Sequence, residues 1–133
     1  MKRLLIFAFT TLFVVNASAW GPKGHDTIAY IAEQHLSKKT LKKVEAALGG
    51  NSLVYVANWM DNASNTREYR YTKPWHYANV DEGHTFESMP RNEKGDVVKA
   101  IEDIVAALKS KALPEQQEKL QLRFLIHLVG DIH

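Results

Sequence analysis

Apolar residues recur at spacings of three and four along most of the chain, which is the period of an amphipathic α-helix. The first such stretch runs over residues 25–36 and predicts helix one. A second helix should follow, because Ser37 or Thr40 can cap its start and the pair Gly49-Gly50 can end it.

Three further helices follow from the same period. One covers about residues 52–60 and brings Asp61 to its C-terminal end. The next carries an apolar stripe over residues 97–108, with Asp96 as its N-cap. The last has Pro114 at its first position and continues through the apolar residues around 120–129.

Residues 63–91 show no sustained period and contain Pro74, Gly83 and Pro90, so we expect a long loop there. No run of the sequence shows the two-residue alternation of a strand between turn signals. The predicted class is therefore all-α, a helical bundle whose chemistry is built from facing helices and one long loop.

The N-terminus has the pattern of a secretory signal peptide. Two basic residues precede an apolar run over residues 4–15, and small residues then lead to Ala19, after which cleavage is expected. The run is short for a membrane span, although an uncleaved anchor is the alternative. We expect residues 1–19 to be the signal and residues 20–133 one exported domain, periplasmic or secreted, without stable membrane association after cleavage.

Charge and cysteine content restrict which ligands and which metal sites the chain can have. The chain has 17 Lys and Arg against 15 Asp and Glu, and removal of Lys2 and Arg3 with the signal leaves 15 of each. A neutral domain has no electrostatic basis for holding a polyanion on a broad basic face, so any nucleic-acid contact must be local. The chain has no cysteine, which excludes disulfides and thiolate zinc sites.

The strongest local signal for a metal site is the pair His127 and Asp131. Residues four apart lie on one helix face, so an imidazole and a carboxylate can reach one ion. The alternative for His127 is a core histidine bonded to a backbone carbonyl. Further ligands must come from upstream.

The upstream candidates are His25, Asp61, His76 and Trp20. Asp61 has the alternative role of ending a helix, and His76 that of a surface loop residue. Cleavage would free the α-amine of Trp20, which can chelate a metal together with its carbonyl, or it can simply be a frayed terminus. His35 and His84 are expected on a helix face and in a solvated loop, without a site role.

Four short segments with candidate ligands follow one another along the chain: Trp20-Gly-Pro-Lys-Gly-His25, Ala57-Asn-Trp-Met-Asp61, Pro74-Trp-His76-Tyr77 and His127-Leu-Val-Gly-Asp131-Ile-His133. Together they resemble the S1/P1 nuclease family of zinc-dependent nucleases and 3′-nucleotidases, which prefer single strands and share their fold with bacterial zinc phospholipase C. The resemblance covers residues 20–133.

The resemblance implies two zinc sites that share one carboxylate. Asp61, His76, His127 and Asp131 would hold one zinc, while the amine and carbonyl of Trp20, with His25 and again Asp131, would hold the second. Asp61 and Asp131 would be the catalytic carboxylates. Hydroxide generated between the two ions would attack phosphorus and leave a 5′-phosphate and a free 3′-hydroxyl.

The resemblance also implies how single-stranded DNA or RNA would bind. Tyr77 would stack on a base and Asn79 would bond its edge, although ordinary packing is the alternative for Tyr77. Relatives often carry Asp at the second position, and an amide donates as well as accepts, which alters the expected base preference. His133 is expected to support the ligands rather than bind metal.

The family motif continues beyond the point where this sequence stops, toward residues that hold a third zinc. We therefore expect an N-terminal portion of the fold, truncated at its C-terminus, with two of three zinc sites and impaired activity. The alternatives are a zinc phosphodiesterase of the phospholipase C type and a non-catalytic exported helical domain that zinc stabilises.

Overall fold

The structure, a computed structural model, describes residues 21–133. Within that range all regular secondary structure is helical, which confirms the all-α class. The elements are α1 (Pro22–His35), α2 (Lys38–Ala47), α3 (Leu53–Val56), α4 (Trp59–Ala63), a 3₁₀ helix (Arg70–His76), α5 (Val97–Lys109) and α6 (Glu115–Ile132).

The predicted starts and stops hold for most helices. α1 begins three residues before the expected start, with Pro22 in its first turn. Ser37, not Thr40, caps α2, because its side chain accepts from the Thr40 N–H at 3.1 Å. After α2, Gly49 and Gly50 adopt φ of +74° and +85°, a left-handed conformation that favours glycine and ends the helix.

The expectation of one helix over residues 52–60 is wrong. The segment divides into α3 and α4, and the break falls at Ala57 and Asn58. Asp61 consequently lies in the middle of α4 rather than at a helix end. The break is explained by long-range partners: the Ala57 carbonyl accepts from His127, and the Asn58 side chain bonds to α1.

The expectation that residues 63–91 form only a loop is also wrong, because a 3₁₀ helix occupies residues 70–76. Such a helix has three residues per turn, so the search for a 3.6-residue period misses it. His76 is its last residue and is therefore anchored by regular structure.

The remaining caps follow the sequence. Asp96 accepts from the Lys99 N–H at 2.9 Å and begins α5. Pro114 lies just before α6 rather than at its first position. None of the helices in the described range is long and apolar enough to cross a membrane.

α6 lies at the centre of the fold because two apolar clusters share it. One cluster buries Phe124 and Leu128 of α6 against α4 and α5, and Leu122 and Ile126 of α6 pack against the other, built from α1, α2 and α3. The C-terminal half of α6 is thereby surrounded by α1, α4 and the 3₁₀ helix. Each of these three elements carries one predicted metal ligand.

Candidate metal centre

Five of the six predicted metal ligands converge at the C-terminal half of α6. His25 comes from α1, Asp61 from α4, His76 from the 3₁₀ helix, and His127 and Asp131 from α6 itself. The sixth, Trp20, lies outside the described residues. Side chains far apart in sequence thus meet at one place.

Four donor atoms form a compact set, here called the four-donor group: Asp61 Oδ1, His76 Nδ1, His127 Nε2 and Asp131 Oδ2. His76 Nδ1 lies 3.0 Å from Asp131 Oδ2, 3.1 Å from His127 Nε2 and 3.7 Å from Asp61 Oδ1. His127 Nε2 lies 3.3 Å from Asp131 Oδ2 and 3.4 Å from Asp61 Oδ1. Tetrahedral zinc with its usual bond lengths separates its donors by about 3.3 Å, and these five distances lie within about 0.4 Å of that value.

A second set, here called the His25 group, consists of His25, His127 and Asp131. His25 Nε2 lies 3.4 Å from Asp131 Oδ1, and the His25 ring stacks on the His127 ring with centroids 4.2 Å apart. The two carboxylate oxygens of Asp131 therefore face different groups: Oδ1 faces His25, and Oδ2 faces His76 and His127. This arrangement allows Asp131 to join two ions.

The hydrogen bonds of His127 leave one of its nitrogens in need of a cation. Its Nδ1 lies 2.7 Å from the Ala57 carbonyl oxygen, which can only accept, so Nδ1 carries a proton. Nε2 then faces carboxylate oxygens of Asp61 and Asp131, an arrangement that is favourable only with a proton or a metal ion on Nε2. The core-histidine alternative therefore describes Nδ1, whereas the ligand role, which concerns Nε2, stays a prediction.

Other buried ring nitrogens also lack partners. Both nitrogens of His25 and Nε2 of His76 are buried without a hydrogen-bond partner among the described residues. His25 and His127 are almost fully buried, and the Asp131 side chain is 2% exposed. Unsatisfied buried polar atoms are costly, and an ion coordinated at the His25 group would satisfy one of these three, His25 Nε2.

The pKa values of His25, Asp131 and His127 depart from their ordinary values. Burial lowers the pKa of His25, and the nearby His127 lowers it further, so its ring is neutral. Burial opposes ionisation of Asp131, but hydrogen bonds with His127 and His76 outweigh it and lower its pKa to about 2. Burial likewise acts to lower the pKa of His127, yet Asp131 and the Ala57 carbonyl raise it, because a positive charge is favoured there.

Gly130 is a site residue that the sequence reasoning missed. A Cβ built on Gly130 would lie only 2.7 Å from His25 Nδ1, so glycine is required for the His25 ring to pack against α6. The available signal was a glycine inside an apolar helix, one residue before a predicted ligand. Such a residue marks a close approach when no turn explains it.

An open cavity of about 410 Å³ borders the four-donor group. Its lining includes Asp61, His76 and Asp131, with the basic side chain of Lys73 and the half-exposed ring of Tyr77 beside them. Asn79 lines a smaller neighbouring cavity, which Tyr77 also borders. Asp61, 47% exposed at its side chain, is the most solvent-exposed of the five predicted ligands that the structure describes.

The other histidines lie away from these contacts. His133 is exposed, and its Nδ1 lies 2.8 Å from the Val129 carbonyl of the preceding turn. Its expected support of the ligands therefore stays a prediction. His35 ends α1 and His84 lies in the segment after the 3₁₀ helix, both exposed, as expected from the sequence.

Comparison with known proteins places the chain. A family model described as S1/P1 nuclease matches residues 20–133. The chain is 29% identical to nuclease S1 of Aspergillus oryzae over its whole length, covering 49% of that relative. It is 25% identical to nuclease P1 of Penicillium citrinum over 85% of the chain and 45% of the relative, and 26% identical to endonuclease 4 of Arabidopsis thaliana over 92% and 46%. The chain spans about half the length of these curated relatives, and it belongs to the S1/P1 nuclease family.

Proposed function

We propose that this member of the S1/P1 nuclease family is an exported, zinc-dependent phosphodiester hydrolase that acts on single-stranded DNA and RNA and leaves 5′-phosphates. The observation that carries the proposal is the four-donor group, in which five donor–donor distances of 3.0 to 3.7 Å suit tetrahedral zinc. Nitrogen and carboxylate oxygen without thiolate is a donor set typical of catalytic zinc.

Zinc would be held by the four-donor group, and a second ion by His25, Asp131 and the amine and carbonyl of Trp20. When bound, such a pair supplies Lewis acidity and activates water near neutral pH. The protein contributes fixed geometry: the Ala57 carbonyl orients His127, and ionised Asp131 presents one oxygen to each group. Groups that hydrogen-bond to metal ligands orient those ligands in this way.

Substrate would enter from the open cavity, because Asp61 faces it while His25 and His127 are buried behind. Tyr77 offers an exposed ring for stacking of a base, and Asn79 can bond the base edge from the adjoining cavity. Lys73 can attract a phosphate. A base held in a duplex cannot reach such a ring, which favours single strands.

The test is hydrolysis of a single-stranded oligonucleotide by the purified chain, together with its zinc content. We expect zinc-dependent cleavage that stops in chelator and returns with added zinc. His127→Asn should abolish cleavage, whereas His84→Asn, which changes an exposed histidine, should match the parent.

The alternatives give different results in the same assay. Hydrolysis of phosphatidylcholine in place of nucleic acid would identify a phospholipase C-like phosphodiesterase. Bound zinc that raises thermal stability, with no turnover of any phosphodiester, would identify a non-catalytic domain. A chain that binds no metal at all would overturn every one of these functions.

A further inference from the structure

Asn58 stands at the start of α4 but does not cap it. Asparagine is favoured at that position because its side-chain oxygen accepts from a backbone N–H of the first turn. The Asn58 side chain makes no such bond. The Asn58 side chain bonds to α1 instead.

The amide nitrogen of Asn58 donates two hydrogen bonds to the first turn of α1. One reaches the carbonyl oxygen of Pro22 at 3.2 Å, and the other reaches Asp26 Oδ1 at 2.5 Å. These two acceptors lie on either side of His25 in the sequence. Asn58 therefore fixes the single helical turn that carries the His25 ring.

His25 depends on such indirect support because its own ring makes no hydrogen bond within residues 21–133. It is held by packing against the His127 ring and the backbone at Gly130. Packing restrains how far the ring can approach α6. The rotation and height of α1 decide where Nε2 points, and these are what the Asn58 bonds restrain.

We propose that Asn58 is a positioning residue for the His25 group, linking the segment that carries Asp61 to the helical turn that carries His25. The inference rests on the proposed function, in that the His25 group must bind an ion. Loss of the Asn58 hydrogen bonds should weaken the binding of an ion at the His25 group by about 10- to 100-fold. That is the usual effect of removing a group that supports a metal ligand. The four-donor group, which contains no residue of α1, should keep its ion.

The test is titration of the metal-free chain with zinc, and with cobalt(II) as a spectroscopic probe of each site. The parent should bind two ions, and Asn58→Leu should keep one tight ion while the second weakens by at least about tenfold. Asn62→Leu is the matched control, because Asn62 is exposed on the same short helix. It should bind both ions as the parent does.

Changes at Asp26 test the other side of the same hydrogen bond. Asp26→Leu should also weaken binding of the ion at the His25 group, by less than Asn58→Leu because the bond from Asn58 to the Pro22 carbonyl remains. It carries the test if the Asn58→Leu chain does not fold. Asp26→Asn keeps an acceptor oxygen and should retain both ions. The double variant Asn58→Leu with Asp26→Leu should be no worse than Asn58→Leu alone, since Asn58→Leu has already removed the bond to Asp26.

Two tight ions in Asn58→Leu, or equal weakening of both ions, would overturn the inference. A parent chain that binds a single ion would also overturn it. Cleavage of single-stranded oligonucleotide by the parent tests the proposed function separately, so the two can fail independently.

Discussion

Replacing Gly130 with alanine should weaken the His25 group even though alanine favours a helix. The new Cβ would lie 2.7 Å from His25 Nδ1 and 3.3 Å from Cε1, whereas ordinary contacts begin at 3.4 Å. The His25 ring must therefore retreat by about 0.7 Å. Metal–ligand distances tolerate only about 0.2 Å, so the displaced ring cannot keep its ligand position.

Two opposing effects decide the stability of the metal-free variant. Gly→Ala in a helix interior contributes about 1 kcal/mol of stability, and overpacking of a filled core costs about 1–3 kcal/mol. Because His25 is buried against both Gly130 and His127, we expect the destabilisation by overpacking to exceed the gain in helix propensity. The net loss should be about 0–2 kcal/mol, measured by urea unfolding in chelator.

A second background separates the two effects. With His25→Ala already present, the obstructing ring is gone, so Gly130→Ala should stabilise the chain by about 0.5–1 kcal/mol. In the parent background, zinc titration should show the four-donor group intact and the second ion weakened. Stabilisation in both backgrounds, or two tight ions in Gly130→Ala, would refute the reasoning.

Three other changes test separate parts of the structure. Asp96→Ala removes the cap of α5 and the partner of Arg91 and should cost about 1–2 kcal/mol in urea unfolding, whereas Asp103→Ala breaks an exposed pair and should cost under about 0.5 kcal/mol. The pKa of Asp131 falls from 3.8 to about 2 on folding, so its ionised form stabilises the metal-free chain above about pH 4. About 2 kcal/mol of the free energy of unfolding should be lost as the pH falls toward 2, and this loss should be absent in Asp131→Asn. An equal loss in both chains would contradict the hydrogen bonds described for Asp131. Tyr77→Ala should raise the KM for single-stranded oligonucleotides roughly 5- to 150-fold while Tyr77→Phe stays near the parent, and equal KM values would exclude stacking.

The sequence predicted the elements whose signals are local. The period of apolar residues found α1, α2, α5 and α6, and the side chains of Ser37 and Asp96 act as caps because capping needs only a few neighbouring residues. The candidate ligands were found because each stands in a short recognisable segment.

The features that escaped prediction depend on distant partners. The break between α3 and α4 lies where Ala57 and Asn58 bond to residues 70 and 32 positions away. The local sequence pattern does not indicate these partners. Gly130 matters only because a ring from α1 packs on it. Which oxygen of Asp131 faces which group likewise follows from the packing of three helices.

The hydrogen bond between His127 and Ala57 joins residues 70 positions apart, and the contact between His76 and Asp131 joins residues 55 apart. Contacts of such sequence separation require the intervening chain to lose conformational freedom, which slows folding. The four-donor group is therefore completed only when α6 docks between the two apolar clusters. If the proposed site binds cobalt(II), the rate at which refolding chains acquire its tetrahedral spectrum would report the rate at which α6 docks.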